Sequence, residues 1–117
     1  MKIALFGDIH ESWEAFEAVL ADAEEQGCDS HVCLGDVVGY NADPSRCLEK
    51  VREMGIPVVK GNHDEDAGGE HSLEMMNPTA AEALQWTRDQ LTAEQREWLA
   101  RMRMVRQVED FTIVHST

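Results

Sequence analysis

Four short stretches of the 117-residue sequence carry side chains that commonly bind metal ions. In chain order they contain Asp8 and His10, then Asp36, then Asn62, His63 and Asp64, and finally His115. They offer carboxylate and amide oxygens and imidazole nitrogens without a thiolate, which suits Mn²⁺, Fe or Zn²⁺ better than a structural zinc site. Two such cations about 3.5–4 Å apart can clamp a phosphoryl group and activate a water molecule. The residue types therefore point to hydrolytic chemistry assisted by two metal ions.

Each stretch follows a short apolar segment that we predict to be a β-strand. These segments cover residues 2–6, 31–34, 56–60 and 111–114, and their composition is typical of strands buried on both faces. Helical spacing predicts helices over residues 12–26, 44–54 and 78–90, and a fourth that begins at Thr92. The polar, acidic stretch between Asp64 and Asn77 is interpreted as a surface loop. The alternation predicts an α/β fold of βαβ units with a mainly parallel sheet.

The positions of the metal-binding side chains agree with such a sheet. The carboxyl ends of its parallel strands share one edge, and ligands bind in the crevice outside that edge. Gly7, Gly35 and Gly61 accompany three of the four stretches, and glycine permits unusual backbone angles or the close approach of another segment. We therefore expect the side chains to converge, with Asp36 central enough for its carboxylate to bridge two cations.

The composition limits the partners. The chain has 10 Lys and Arg against 23 Asp and Glu, a formal net charge of -13, which disfavours broad binding to nucleic-acid phosphates. A small phosphorylated or nucleotide substrate remains compatible, because bound cations reverse the local charge. No apolar run approaches the roughly 20 residues that span a membrane. Three cysteines without a CxxC pair, and no signal peptide, predict a cytoplasmic protein with free thiols.

The ordered motifs resemble those of the calcineurin-like metallophosphoesterase family. The matches are DIH at residues 8–10, GDVVG at 35–39, GNHD at 61–64 and the apolar segment that ends at His115. Gly39-Tyr40 stands where protein phosphatases of the family have Asp-Arg, so the resemblance is to the bacterial phosphodiesterase-like branch. The resemblance implies an αββα sandwich about twice this length. It also implies a GHxH segment with two more histidines, so residues 1–117 would be a domain truncated before that segment.

The resemblance also implies a role for each matching residue. Asp8 and His10 would bind one metal, Asn62 and His115 the other, and Asp36 both. His63 would lie over the phosphate as a catalytic group that stabilises its charge or protonates the leaving oxygen. Asp64 would orient His63. Glu11 departs from the glycine that many relatives have after the histidine.

Simpler interpretations stay open for several of these residues. Asn62 could form an Asx turn, His63 could be a surface histidine, and His115 could be frayed near the chain end. We interpret Trp86, Trp98 and Met102 as core side chains rather than as a base-stacking surface.

The sequence therefore predicts a metal-dependent phosphohydrolase that cleaves phosphate mono- or diesters through a water activated by two divalent metal ions. The alternative is a catalytically inactive family fragment or a protein-binding scaffold. Half of a sandwich would also expose an apolar face, so we expect a homodimer or pairing with the missing C-terminal half.

Overall fold

The computed structural model describes residues 1–116. Its elements in chain order are β1 (Ile3–Phe6), α1 (Trp13–Glu25), β2 (Ser30–Cys33), α2 (Pro44–Met54), α3 (Asn62–Gly68), α4 (Pro78–Gln90), α5 (Ala93–Arg101), β3 (Val105–Val108) and β4 (Phe111–Val114). Within residues 1–116, no helix is long and apolar enough to cross a membrane.

The central sheet is parallel, as the sequence predicts. β1 and β2 pair in parallel from Ile3 with Ser30 to Phe6 with Cys33, and α1 forms the crossover between them. The predicted third strand is shorter than expected: it joins β2 only through a parallel bridge between Cys33 and Val58. The first βαβ unit of the α/β fold is confirmed.

The last strand does not extend this parallel sheet, which corrects the expectation for residues 111–114. β4 pairs antiparallel with β3, a strand that the sequence did not predict. Val108 and Phe111 are paired across the turn, so only two residues connect the strands. Such a tight hairpin needs positive φ in the turn, and Glu109 supplies it with φ 52°. An Asp or Asn followed by glycine would have signalled this hairpin, whereas Glu-Asp does not.

The predicted helix boundaries hold for α2, α4 and α5. Pro44 opens α2, and Gly55 ends it in the left-handed conformation with φ 63°. The Asn77 side chain caps α4 by accepting the N–H of Thr79 at 2.9 Å. Thr92 and Gln95 form the predicted capping box of α5.

Residues 62–68 form α3, so the predicted surface loop between Asp64 and Asn77 was wrong for its first part. The Asp64 side chain caps this helix by accepting the N–H of Gly61 at 3.0 Å. Ala67 is fully buried in the core. The short helix therefore depends on core packing and on one buried acid. Its acidic composition is typical of a surface loop, so neither feature could be predicted from the sequence.

The end of β2 and the segment at residues 58–59 are buried on both faces. Cys33 and Val58 face the larger core that the helices cover, whereas Val32 and Val59 pack against Ile113 of the hairpin. The sheet thus lies between a helical layer and a second, small sheet, in agreement with half of a sandwich.

Of the three side chains interpreted as core, Met102 is buried and Trp98 packs against the core. Trp86 on α4 is 42% exposed, so the core interpretation of that residue was wrong.

Candidate metal centre

The predicted ligands converge at one edge of the central sheet. Two sets of three side chains each bring a potential ligand atom within 4.8 Å of the others. One set is His10, Asp36 and His63, and the other is Asp8, Asp36 and His115. Asp36 belongs to both sets, which is the arrangement expected of a carboxylate that bridges two cations.

The Asp36 carboxylate lies at the middle of a ring of imidazoles. Its Oδ2 atom is 3.6 Å from His10 Nε2, 3.1 Å from His63 Nδ1 and 3.2 Å from His115 Nε2. Its Oδ1 atom accepts the backbone N–H of His63 at 3.0 Å. The residue is only 3% exposed, so the protein rather than bulk water determines its interactions.

Two histidines are oriented by backbone carbonyl groups. His10 Nδ1 lies 3.3 Å from the carbonyl oxygen of Val38, and His115 Nδ1 lies 2.7 Å from that of Leu34. A carbonyl oxygen only accepts hydrogen bonds, so Nδ1 is the protonated nitrogen in both rings. Nε2 is then available as a ligand atom and faces Asp36. Histidine ligands of metal ions are commonly held this way.

The ligands after β1 and β2 occupy an uncommon backbone conformation. Asp8, His10 and Asp36 have φ of 54°, 47° and 57°, in the left-handed region that few residues other than glycine adopt. Hydrogen bonds between the two strand exits hold them there, including Asp8 N–H to Gly35 O and His10 N–H to Asp36 O, both at 2.9 Å. Backbone strain of this kind concentrates at functional sites. Unusual backbone angles were expected at Gly7, Gly35 and Gly61, and of these three only Gly35 has a positive φ, at 96°.

Gly61 allows α3 to approach the carboxylate of Asp36. A Cβ atom at Gly61 would lie 2.0 Å from Asp36 Oδ1 and 2.4 Å from Asp36 N. We expect Gly61→Ala to displace this carboxylate and to lower metal affinity at least tenfold, as losses around metal ligands commonly do. Calorimetric titration with Mn²⁺ measures the effect. Gly27→Ala is the control for a general loss of stability, because a Cβ at Gly27 meets no atom within 4 Å but is strained by φ 71°. Equal affinity of the two variants would contradict the close packing at Gly61.

Asp64 holds the loop that carries Asp36. Oδ2 accepts the N–H groups of Asp36 and Gly61, and Oδ1 accepts those of Val37 and Val38, at 2.8–3.2 Å. Burial raises the pKa of the Asp64 carboxyl to about 6, although the backbone donors act in the opposite direction. These hydrogen bonds all go to the backbone, so Asp64 positions Asp36 instead of orienting the His63 ring as expected.

Asn62 is the first residue of α3 and precedes His63 directly, so it lies at the same edge of the sheet. Its side chain is partly exposed. Its expected role as a ligand stays a prediction.

Glu11 has a structural role at the site that its sequence position alone does not indicate. It is fully buried, and its Oε1 accepts the Gly39 N–H at 2.7 Å and the Thr87 hydroxyl at 2.5 Å. Burial raises the pKa of its carboxyl. Glu11 thus connects the loops after β1 and β2 to α4. In the sequence, only its position directly after His10 pointed to a role at the site. The role itself depends on contacts with Gly39 and Thr87, which are distant in sequence.

The motifs and their spatial arrangement agree with a comparison against known protein families. The family model for calcineurin-like phosphoesterases matches residues 1–115. The chain belongs to the calcineurin-like phosphoesterase family. Members of this family generally bind divalent metals, and the two donor sets that share Asp36 fit such ions.

Similar proteins of known sequence or structure support this membership. An uncharacterised protein of Methanocaldococcus jannaschii is 40% identical over 97 residues, which is 83% of this chain and 40% of that protein. A metallophosphoesterase from Sphaerobacter thermophilus has a crystal structure that matches with a TM-score of 0.84 and 39% identity, over 100% of this chain and 47% of that one. The chain therefore spans less than half the length of either relative.

A more distant structure has the same fold. A hypothetical protein from Pyrococcus horikoshii matches with a TM-score of 0.78 at 20% identity, over 88% of this chain and 48% of that one. At this identity, the match supports only the fold, which is the half-sandwich architecture.

Proposed function

We propose that this protein is a metal-dependent phosphoesterase that hydrolyses phosphate mono- or diesters at a centre for two divalent cations. The observation that carries the proposal is the shared position of Asp36 in two three-residue donor sets. A single carboxylate in two adjacent sets is what a two-cation site requires, whereas one structural ion would need one set.

The family resemblance assigns Asp8 and His10 to one cation, Asn62 and His115 to the other, and Asp36 to both. The donor sets in the structure group the residues differently, since Asp8 lies with His115 and His10 lies with His63. Asp36 is the residue that both groupings give to each cation. Bound cations of this kind polarise a phosphoryl oxygen and make a nucleophilic hydroxide available near neutral pH. Mn²⁺, Fe and Zn²⁺ all suit ligands of oxygen and nitrogen.

His63 is the proposed acid for the leaving oxygen. Its Nδ1 atom lies 3.1 Å from Asp36 Oδ2. In the imidazolium form, Nδ1–H would donate to that carboxylate and Nε2 would carry the proton transferred to the leaving oxygen. Its ring is partly exposed, with a side-chain exposure of 21%, so a substrate can reach it. General acid catalysis of this type contributes about 10²–10⁴-fold to rates.

The substrate class follows from charge and from one missing residue. Tyr40 stands where an arginine would contact phosphate in a protein phosphatase, which favours phosphodiesters and nucleotides over phosphoproteins. The formal net charge of -13 also disfavours long polyanionic substrates. A small phosphate ester that carries few charges fits both observations.

Metal dependence provides the direct test of this function. With Mn²⁺ present we expect hydrolysis of bis(p-nitrophenyl) phosphate, and we expect a chelator to abolish it because the cations activate the nucleophile. Calorimetric titration of the metal-free protein should show saturable Mn²⁺ binding. As a control for ionic effects, Mg²⁺ is added to a sample in which the chelator is in excess over Mn²⁺. Absence of both binding and hydrolysis with Mn²⁺, Fe²⁺ and Zn²⁺ would contradict the proposal.

A binding role without catalysis is the second candidate. The chain exposes apolar side chains on its strands, including Leu5, Val105 and Val114. Val105 and Val114 are direct neighbours across the hairpin, so they form a continuous apolar patch. Tight metal binding with measurable hydrolysis favours the enzyme, and folded protein without metal binding favours the scaffold.

A further inference from the structure

Tyr40 lies against the candidate metal centre, but most of its surface faces solvent. Its ring centroid is 4.6 Å from that of His63 and 5.2 Å from that of His10. The residue is nevertheless 63% exposed. An aromatic ring with one edge on two catalytic-site histidines and one open face is suited to contact a ligand.

The loop around Tyr40 is fixed on both sides. The N–H of Gly39 donates to the buried Oε1 of Glu11 at 2.7 Å, and the Asn41 side-chain amide donates to the His10 carbonyl oxygen at 2.7 Å. Tyr40 itself has φ 79°, a conformation that is unfavourable for a bulky residue. These contacts offset the strain and fix the backbone on both sides of Tyr40.

A cleft next to Tyr40 ends at a second aromatic side chain. The cleft has a volume of about 270 Å³ and is lined by Tyr40, Asn41, Ala42, Ala83 and Trp86. Trp86 lies on α4 and is 42% exposed. The lining contains no charged side chain, although 28% of the chain is charged. The cleft therefore suits a neutral, flat group better than a phosphate or a metal ion.

We propose that Tyr40 and Trp86 form a stacking subsite for the base of a nucleotide whose phosphate lies at the metal centre. The subsite rests on the proposed function, because it extends the same phosphate-ester site toward the leaving group. Tyr40 contacts His63 of the metal centre and also lines the cleft, so it connects the two. Base stacking on aromatic side chains tolerates any base, so the subsite selects nucleotides as a class. The charge of the chain permits one nucleotide while disfavouring a long strand.

A pair of ligands that differ only by the base tests this subsite. AMP and ribose 5-phosphate share the phosphate and the sugar, so their affinities are compared by calorimetric titration in the presence of Mn²⁺. We expect AMP to bind at least about fivefold more tightly, the lower limit of what one base stack contributes. Trp86→Leu should reduce AMP affinity toward that of ribose 5-phosphate and leave the latter unchanged. Tyr40→Leu should lose more affinity for AMP than for ribose 5-phosphate, because the Tyr40 ring also packs against His10 and His63.

Two further variants separate stacking from other roles. Tyr40→Phe keeps the ring without the hydroxyl and should retain the preference for AMP. Met75→Leu is the matched control, because Met75 is 97% exposed and lies outside the cleft. If Tyr40→Leu does not fold, Trp86→Leu on the helix surface decides the result.

The outcomes distinguish the subsite from the proposed function. Equal affinities for AMP and ribose 5-phosphate, an absence of AMP binding, or an equal loss for both ligands in Tyr40→Leu would overturn the subsite. Hydrolysis of the aryl phosphodiester without any AMP preference leaves the phosphoesterase function standing and removes the subsite. An AMP preference that depends on Tyr40 and Trp86 supports the subsite even if hydrolysis is not found.

Discussion

Asp36→Asn is expected to lower the affinity for Mn²⁺ by at least about 100-fold, the upper limit for losing a residue that only supports a ligand. Asp36 contributes to both donor sets, so one substitution weakens both cation sites. The negative charge is lost, while the size of the side chain is preserved. Hydrolysis of phosphate esters should fall with metal affinity, because the nucleophile depends on the cations.

The same substitution should leave the fold largely intact, which separates metal binding from stability. Asparagine is among the few residues that tolerate the left-handed conformation of Asp36, with φ 57°. Its amide oxygen can still accept the His63 N–H that Oδ1 accepts at 3.0 Å. Calorimetric Mn²⁺ titration and denaturant unfolding on the same samples therefore give a complete test.

Asp110→Asn is the matched control for Asp36→Asn. It removes one negative charge from an exposed residue of the β3–β4 turn, so it should bind Mn²⁺ as the unmodified protein does. Equal loss of affinity in both variants would show that net charge, and not a shared ligand, controls metal binding. If Asp36→Asn bound Mn²⁺ with unchanged affinity, Asp36 could not be a carboxylate that bridges two cations.

Much of the candidate site could be predicted from sequence because its ligands directly follow strands. Asp8 and Asp36 follow β1 and β2 closely, and parallel pairing of these strands brings the two exits together without further information. His115 reaches the same edge although β4 is antiparallel to β3. Its ring is hydrogen-bonded to Leu34 O, so the side chain meets the centre where β2 ends.

The remaining features depend on contacts between distant residues, which local patterns do not encode. Glu11 bonds to Gly39 and Thr87, which are 28 and 76 residues away. Helix α3 begins after Gly61, which has no side chain to act as a cap signal. The two-residue turn before β4 uses Glu109 at positive φ, where glycine or asparagine is the usual signal. In each case tertiary packing outweighs local preference.

Asp64→Asn is expected to have the largest effect on stability. Each carboxylate oxygen of Asp64 accepts two backbone N–H groups, and the residue is fully buried. An asparagine amide offers one oxygen, so in either orientation its NH₂ group faces two N–H donors. Each buried donor left without an acceptor costs about 1–3 kcal/mol. We therefore expect the free energy of unfolding to fall by about 2–6 kcal/mol.

This loss is large compared with the total stability of about 5–15 kcal/mol that is usual for a domain. Urea unfolding measures it, and Asp66→Asn on the same helix is the control. The Asp66 carboxylate has a side-chain exposure of 27% and contacts His71 Nε2 at 3.0 Å, and partly exposed pairs contribute only about 1 kcal/mol. Because the four N–H groups include that of Asp36, Asp64→Asn should also loosen the metal centre. If both variants unfolded at the same urea concentration, Asp64 could not be the acceptor that holds the Asp36 loop.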